Sequence, residues 1–434
     1  MELKILRKNY PKFIYRRYSF RLLNNNLEIF FDFKIEPNIF FRPRIVIEKV
    51  NETQIKKIKK RVLNNLIFHL GLMEIPSYWK ATCSPEILIK AGYLNEKQIK
   101  WWKDLIIKGM GQFFYENKID WRQSKFLKIK TKNYSKTLPQ ARLLRNFNLE
   151  PEKVLVPLGG GKDSIVTLEK LKEQGKKIGC FLVNPTKIMR EIARVAKIKD
   201  LVIVKREIDP VLLKLNKKGY LNGHTPITAV LSFLSVFCAI LFGYKYIAFS
   251  NEKSANEGNV RYLGKIINHQ WSKSSEFERK FRYYCKKYLV KEINYFSFLR
   301  KYTELEIAEM FTKYPKYFSV FSSCNLVLSK KLKRRWCGNC PKCLFVYATL
   351  YPFLEREQLL EIFGTEIFEN KKLLSVMEGL INPKMAKPFE CVGTKKESQI
   401  AFYLSYKKSR DRLPFLLEYF KKKILPKYQN LLLI

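Results

Sequence analysis

Acidic residues and histidine are the scarce components of this 434-residue chain. Asp and Glu total 39 against 83 Lys and Arg, a formal charge of +44, and there are three histidines. An excess of one sign points to a polyanionic partner, a nucleic acid or an acidic surface. Here, however, the lysines are scattered through every segment beside Ile, Asn, Tyr and Phe. That scatter fits a lysine-favouring codon bias as well as a binding face, and small polyanions such as nucleotides and sugar nucleotides would gain equally from the field. Nucleic acid is therefore not the favoured partner. An export signal is also missing, because the opening "MELKILRKNYPKFIYRRYSF" is too charged for an apolar core. With nine cysteines, that places the chain in a reducing, cytoplasmic compartment, where cysteine serves as metal ligand or thiol rather than in disulfides. One uncharged run, Thr225 to Tyr244, has the length of a membrane span. It opens from "HTPITA", contains Ser232 and Ser235, and passes straight into "YIAFSNE", a strand and polar loop. A helix buried against a sheet is expected there, and no membrane span.

A hydrophobic content of 47% supports globular folding, and the length suggests two domains. No internal repeat is visible. The Walker pattern G-x-x-x-x-G-K-[ST] is absent, and so is G-x-G-x-x-G. What stands in their place is "PLGGGKDSIVTLEKL", residues 157–171. Val154, Leu155 and Val156 read as a short buried strand, and Ile165, Leu168 and Leu171 share one helical face. A strand, a glycine turn and a helix start make an anion site: the N–H groups of Gly159, Gly160 and Gly161 are unobstructed, and the helix dipole adds positive potential. Within that turn Lys162 adds charge, Ser164 can donate to a phosphate, and Asp163 can hold Mg²⁺.

The chain is expected to divide near residue 145. Residues 1–145 carry strand-like runs, "LEIFFDFKI" and "FFRPRIVIEKV", then helical patterns over 54–70 and 95–109, an α+β domain. A basic, polar stretch over 128–153 reads as a linker. In residues 146–434 strands alternate with helices: "KVLVPL", "KIGCFLVN", "LVIVKREI" and "KYIAFS". Such alternation means an α/β domain with a doubly wound parallel sheet and ligands at the carboxyl ends of the strands. Asn184, Asn251 and Glu252 end such strands and should converge on the glycine loop. Glu252 and Glu257 are candidate Mg²⁺ ligands or base contacts.

Cys324, Cys337, Cys340 and Cys343 form the pattern C-x₁₂-C-x₂-C-x₂-C. Four thiolates so spaced can surround one tetrahedral Zn²⁺ and close it to other ligands, a structural site, with Gly338 and Pro341 suited to the tight knuckle. An iron–sulfur cluster is the competing occupant. The other cysteines default to core packing. Of the histidines, His69 reads as a packed or surface residue. His224, in "NGHTPITA", stands just before the long apolar helix, where it could reach a phosphate or a cap, and His269, in "NHQWSKS", lies near Lys273 and Ser274.

The glycine loop ending in Asp-Ser resembles the PP-loop of N-type ATP pyrophosphatases, usually S-G-G-x-D-S. Gly159 stands where that pattern has serine, which removes one hydroxyl from the phosphate site. A cysteine knuckle beside such a loop is similar to 7-cyano-7-deazaguanine synthases. A wider resemblance covers roughly residues 10–400. "SYWKATCSPEI", "WWKDLIIKGMGQFFYEN", "PLGGGKDS", "GHTPITA", "SNEKSANEGN", "NHQWSKS", "YFSFLRKYTELEIA", "WCGNCPKC" and "KPFECVG" together resemble the UDP-N-acetyl-α-D-muramoyl-L-alanyl-L-glutamate epimerases (MurL), with Trp271 where tyrosine is expected.

That resemblance implies inversion of the terminal L-glutamate of UDP-MurNAc-L-Ala-L-Glu to D-glutamate in peptidoglycan precursor synthesis. ATP and Mg²⁺ are consumed or required, and AMP and pyrophosphate are released. An acyl-adenylate makes the glutamate α-proton acidic enough for a side-chain base. Cys391, in "KPFECVG", is the first candidate for one face, and His224, His269 and Glu390 are candidates for the other. Competing expectations are a PP-loop enzyme adenylating tRNA, a deazaguanine nitrile synthase, and a nucleotide sensor that has lost its chemistry. The oligomeric state is open.

Overall fold

The computed structural model describes residues 2–131, 147–328, 334–409 and 412–427. β-Branched and aromatic runs build its strands: β1 (Lys12–Leu23), β2 (Asn26–Ile35), β3 (Ile39–Phe41), β4 (Arg44–Glu48), β5 (Glu86–Ile89), β6 (Lys128–Thr131), β7 (Glu150–Pro157), β8 (Lys177–Val183), β9 (Leu201–Glu207), β10 (Tyr244–Phe249), β11 (Val260–Tyr262), β12 (Lys265–Ile267) and β13 (Asn294–Ser297). Helices that position the site are α1 (Lys60–Trp79), α2 (Lys162–Glu173), α3 (Ile227–Phe242), α4 (Glu304–Thr312) and α5 (Pro341–Leu350).

Five parallel strands run in the order β13-β10-β7-β8-β9. The first of them in sequence, β7, sits in the middle. The chain winds through β8 and β9 to one side, then returns across β7 to β10 and β13 on the other. The carboxyl end of β7 is thus the switch point of the sheet, where crossovers leave in opposite directions and a crevice opens. The glycine loop follows β7 directly. The expected parallel α/β sheet is present, and β8 is buried on both faces as a central parallel strand should be.

Both faces of this sheet are covered. Ile165, Leu168, Cys180 and Leu182 pack with α4 and α5 on one side, while Leu155 and Phe181 pack with α3 and α1 on the other. The uncharged run forms α3, buried along nearly its whole length and stopped by Gly243 in the left-handed conformation (φ 77°). Among the described residues no helix is long and apolar enough to cross a membrane.

Several local expectations are revised. Helix was expected over 54–70. The backbone instead makes a short helix Glu52–Lys56, breaks, and restarts as α1, which continues to Trp79. The run "FFRPRIVIEKV" splits into β3 and β4 on either side of Pro43, which lacks the N–H a continuous strand would need. The stretch 128–153 opens as β6, paired with β5, and closes within β7. Its middle, 132–146, lies outside the described residues.

The two halves share one sheet. β4 pairs antiparallel with β9, from Arg44 opposite Glu207 to Ile47 opposite Val204. The ladder then continues through β2, β1, β5 and β6. A buried ion pair reinforces the junction. Arg206 on β9 donates from Nε and Nη2 to both carboxylate oxygens of Glu74 on α1, each at 2.6 Å, and from Nη2 to Ser77 Oγ at 2.8 Å. Glu74 is 1% exposed. Removing one partner strands the other charge, so Glu74→Ala is expected to cost about 3–5 kcal/mol, read as a lowered midpoint in urea unfolding.

Candidate active site

Gly161 caps α2, and Gly160 adopts φ +97°. A Cβ at Gly160 would lie 3.1 Å from Ile188 Cγ2 and 3.2 Å from the Ser322 carbonyl oxygen, and one at Gly161 would lie 2.6 Å from Ser323 Oγ. Ser322 N–H donates to Gly160 O at 2.9 Å. The loop is therefore clamped against residues 322–323, which is why two adjacent positions exclude side chains. Gly159 has nothing within 4 Å of its missing Cβ, so the start of the loop is open.

Ser164 and Asp163 reach the crevice, but Lys162 turns inward. Its Nζ lies 2.6 Å from Asp163 Oδ1 and 2.5 Å from Glu304 Oε2 at the start of α4. Burial opposes ionisation of Asp163, and Lys162 first, then Lys342 and Lys273, overcome it, so this carboxyl stays below its ordinary range. Glu304 is pushed up to about 7 by burial, which Lys162 only partly offsets. Asp163 thus keeps the negative charge at the cavity wall.

The cavity above the loop encloses about 450 Å³. Phe181, Val183, Met189, Ile227 and Leu231 make an apolar side, while Asp163, Ser164, Asn251, Glu252, Lys273 and Lys342 make a polar one. Asn251 is fixed by Nδ2 donating to Ser297 Oγ at 3.0 Å. Arg300 clamps two elements at once, its Nη1 on Glu252 O at 2.6 Å and its Nη2 on Lys273 O at 2.5 Å. The structure brings Asn251 and Glu252 to the glycine loop but leaves Asn184 outside the cavity lining. Its side chain accepts from Arg206 N–H at 2.7 Å and donates to Arg206 O at 2.9 Å, extending the β8–β9 pairing. Glu257 also stands apart, bound to Lys387 at 3.3 Å and to the N–H of Lys395 at 3.2 Å.

Cys391 lines the same cavity. Lys273 Nζ donates to its Sγ at 3.1 Å, His269 Nε2 lies 3.9 Å from that sulfur, and Lys342 Nζ donates to its carbonyl oxygen. Asn259 holds the two segments together, accepting from His269 N–H at 2.9 Å and donating to Pro388 O at 2.8 Å. The rings of His224 and His269 are 5.5 Å apart. Burial, with cationic neighbours, lowers both imidazoles to about 4, so both are neutral near pH 7. His224 Nδ1 is buried without a hydrogen-bond partner. Burial raises the Glu390 carboxyl, whose Oε2 accepts from Asn325 Nδ2 at 2.5 Å.

The sulfurs of Cys324, Cys337, Cys340 and Cys343 all lie within 4.8 Å of one another. Cys337 and Cys343 are 3.6 Å apart, Cys340 and Cys343 3.5 Å. A tetrahedral zinc with Zn–S near 2.3 Å sets its sulfurs about 3.8 Å apart, so the donor set fits. Gly338 supplies the left-handed residue of the knuckle (φ 66°), and N–H groups of Asn339 and Cys343 point at Cys337 and Cys340 sulfurs, each at 3.4 Å.

Sequence reasoning did not find Lys342, Glu304, Asn259 or Ser322. Lys342 was hidden inside the C-x₂-C pattern, and its place between Cys340 and Cys343 was the available signal. In a chain so rich in lysine, nothing marked Glu304 as the residue that would hold Lys162.

A family model described as the MurL N-terminal domain matches residues 4–298, and one described as the MurL C-terminal domain matches residues 320–430. Curated relatives named UDP-N-acetyl-alpha-D-muramoyl-L-alanyl-L-glutamate epimerase are similar over most of the chain. The protein from a Micromonospora species is 35% identical over 329 residues, 76% of this chain and 72% of that one. That from Salinispora tropica is 35% identical over 76% of this chain and 70% of its own length. The Xanthomonas oryzae pv. oryzae protein is 33% identical, over 76% and 72%. A solved structure, a predicted subunit of tRNA methyltransferase from Methanocaldococcus jannaschii, covers 37% of this chain and 75% of its own at 17% identity, with a TM-score of 0.25. That likeness is too slight to bear on fold or function.

Gly160→Ala meets both a left-handed backbone and the Ser322 carbonyl. It is expected to destabilise by about 1–3 kcal/mol in thermal unfolding, whereas Gly175→Ala, in open space with φ +70°, carries only the backbone cost.

Proposed function

The chain belongs to the MurL epimerase family, and on that premise we propose that it inverts the terminal L-glutamate of UDP-MurNAc-L-Ala-L-Glu at the expense of ATP. What carries this reading is one cavity that unites a phosphate-type glycine loop with a thiol. Such a site serves a reaction that activates an acyl group and then works on the neighbouring carbon. A free carboxylate opposes loss of its α-proton, because carbanion and carboxylate charges repel. Adenylation neutralises the carboxylate and leaves an activated acyl whose α-proton a side-chain base can remove.

The residues divide the work by position. Gly159, Gly160 and Gly161 offer N–H groups to phosphate oxygens at the start of α2, with Ser164 adding a hydroxyl. The apolar wall of Phe181, Met189 and Leu231 suits the adenine ring. Asp163 and Glu252 are the carboxylates fit to hold Mg²⁺, which would neutralise phosphate charge during transfer. Lys162 acts indirectly, holding Asp163 ionised from within. Cys391 removes the α-proton. We expected His224, His269 or Glu390 to serve the opposite face of Cα, but His269 Nε2 lies 3.9 Å from Cys391 Sγ. Groups acting on opposite faces stand roughly 6–7 Å apart, each about 3–3.5 Å from the carbon. His269 therefore belongs to the Cys391 side, and the proton for the other face has a different donor.

The N-terminal half supplies the second wall for the UDP-muramoyl end. Tyr115 packs on Phe389, its ring centroid 5.4 Å away and two residues from Cys391. The four-cysteine cluster holds one structural Zn²⁺, coordinatively closed and outside the chemistry. We place the enzyme in the cytoplasm, in peptidoglycan precursor synthesis.

Pure protein with ATP, Mg²⁺ and UDP-MurNAc-L-Ala-L-Glu is expected to yield D-glutamate on chiral chromatography, with AMP and pyrophosphate. ADP with orthophosphate, or inversion without nucleotide, would sink the reading. Asp163→Ala is expected to reduce pyrophosphate release by about 10²-fold or more. Metal analysis should find one zinc per chain, and Cys343→Ser should lose it together with thermal stability.

A further inference from the structure

Two neighbours compete to activate the Cys391 sulfur, and they differ in distance and charge. His269 Nε2 lies at 3.9 Å. Its imidazole is neutral, held down to about 4 by burial first and then by Lys273. At that distance the contact is long, and a neutral ring brings no charge to the sulfur. Lys273 Nζ lies at 3.1 Å and carries full charge: burial opposes it, but the Cys391 sulfur and the Glu252 and Asp163 carboxylates outweigh burial and hold the ammonium above its ordinary range.

The contact is built from both sides. Lys273 ends a short turn, Trp271–Lys273, in which its N–H donates to Gln270 O at 2.7 Å and its carbonyl accepts from Arg300 at 2.5 Å. The cysteine loop is fixed by Lys342 on the Cys391 carbonyl and by Asn259 on Pro388. Lys273 from that turn meets the sulfur, Lys342 from α5 meets the carbonyl, Asp163 and Glu252 line the same cavity, and Glu390 on the cysteine's own loop has its carboxylate turned to Asn325. Among the described residues Lys273 forms no ion pair with a carboxylate; the sulfur is its hydrogen-bond acceptor.

We propose that Lys273, and not His269, is the positioning residue that activates Cys391: hydrogen-bonded to Sγ, its ammonium stabilises the thiolate that takes the α-proton. This rests on the epimerase reading above. In the step the Cα–H bond breaks, its proton forms the S–H bond, and the electron pair moves onto the acyl oxygen of the adenylated carboxyl. No oxidant or reductant takes part.

The test uses the full chain with Lys273→Met, Lys273→Arg and His269→Asn. Iodoacetamide labelling at pH 7 is followed at the Cys391 peptide by mass spectrometry. Buried Cys238 and Cys285 report on folding by remaining unlabelled, and Lys273→Gln replaces the methionine variant should they become labelled. Alkylation of Cys391 should fall about tenfold in Lys273→Met, recover in Lys273→Arg, and change little in His269→Asn. Exchange of the substrate α-proton with D₂O in the presence of ATP should fall and recover in the same order, with ATP affinity unchanged. The proposal is overturned if Lys273→Met leaves alkylation intact, if His269→Asn lowers it equally, or if Lys273→Met loses ATP affinity alone, the mark of a phosphate contact. Labelling needs no substrate, so failure of α-proton exchange in the unmutated protein would remove the epimerase reading while leaving the Lys273 contact separately measured.

Discussion

Four sulfurs drawn within 4.8 Å of one another hold the segments on which the cavity rests. Cys324 N–H donates to Ser322 Oγ at 3.1 Å, Ser322 Oγ donates to Arg335 O at 2.6 Å, and Ser322 N–H donates to Gly160 O at 2.9 Å. Two bonds therefore separate the cysteine cluster from the glycine loop. On its other side the cluster caps α5, where Cys340 Sγ accepts from Cys343 N–H, and the helix start carries Lys342 to the Cys391 carbonyl. One cluster thus sets both the glycine-loop end and the thiol end of the cavity. The segment between α4 and α5 buries Phe318, Phe321 and Trp336, but such apolar packing is non-directional. The bonds through Ser322 and Cys340 are directional.

Charge in the cavity is decided by which lysines are buried and what they meet, not by the total of +44. A buried cation needs a partner. Lys162 has Asp163 and Glu304, Lys387 has Glu257, and Arg206 has Glu74. Lys273 and Lys342 make no carboxylate pair among the described residues. Both instead donate to Cys391, one to its sulfur and one to its carbonyl, beside the glycine loop. The scattered surface lysines add a general field, screened within about 10 Å at ordinary salt.

The glycine loop, the parallel strand pattern, the buried α3 and the cysteine spacing were legible because each is a local signal. Three glycines leading to a helix start, short apolar runs alternating with helical patterns, and C-x₂-C-x₂-C carry their geometry in the spacing itself. What was not legible depends on contacts distant in sequence. The β4–β9 pairing joins residues more than 150 apart, and no composition shift announces it. Asn184 looked like a cavity residue because it ends β8, yet its positive φ of 47° turns its amide to the neighbouring strand. Lys162 sits in the loop by sequence and under it by structure, because Glu304 arrives from α4 to hold it. Cys391 and His269 were recognised separately, but whether they face each other or lie together depends on Asn259, which ties both segments.

The continuous sheet changes what the N-terminal half can be. Were it an appended module, its loss would leave the catalytic cavity intact. Instead β9, whose neighbour β8 flanks the loop strand, has β4 as its other edge, and without it Val202 and Val204 would lose their cover while Arg206 lost Glu74. The same half reaches the reacting end directly. Asn117 Nδ2 donates to Asn222 O at 3.0 Å, and Lys80 Nζ donates to Gly223 O at 2.8 Å, fixing the backbone just before His224. Tyr115 supports Phe389 next to the cysteine loop. A wall that bears on both sides of the thiol cannot change independently of it, so whatever this half holds is registered against Cys391.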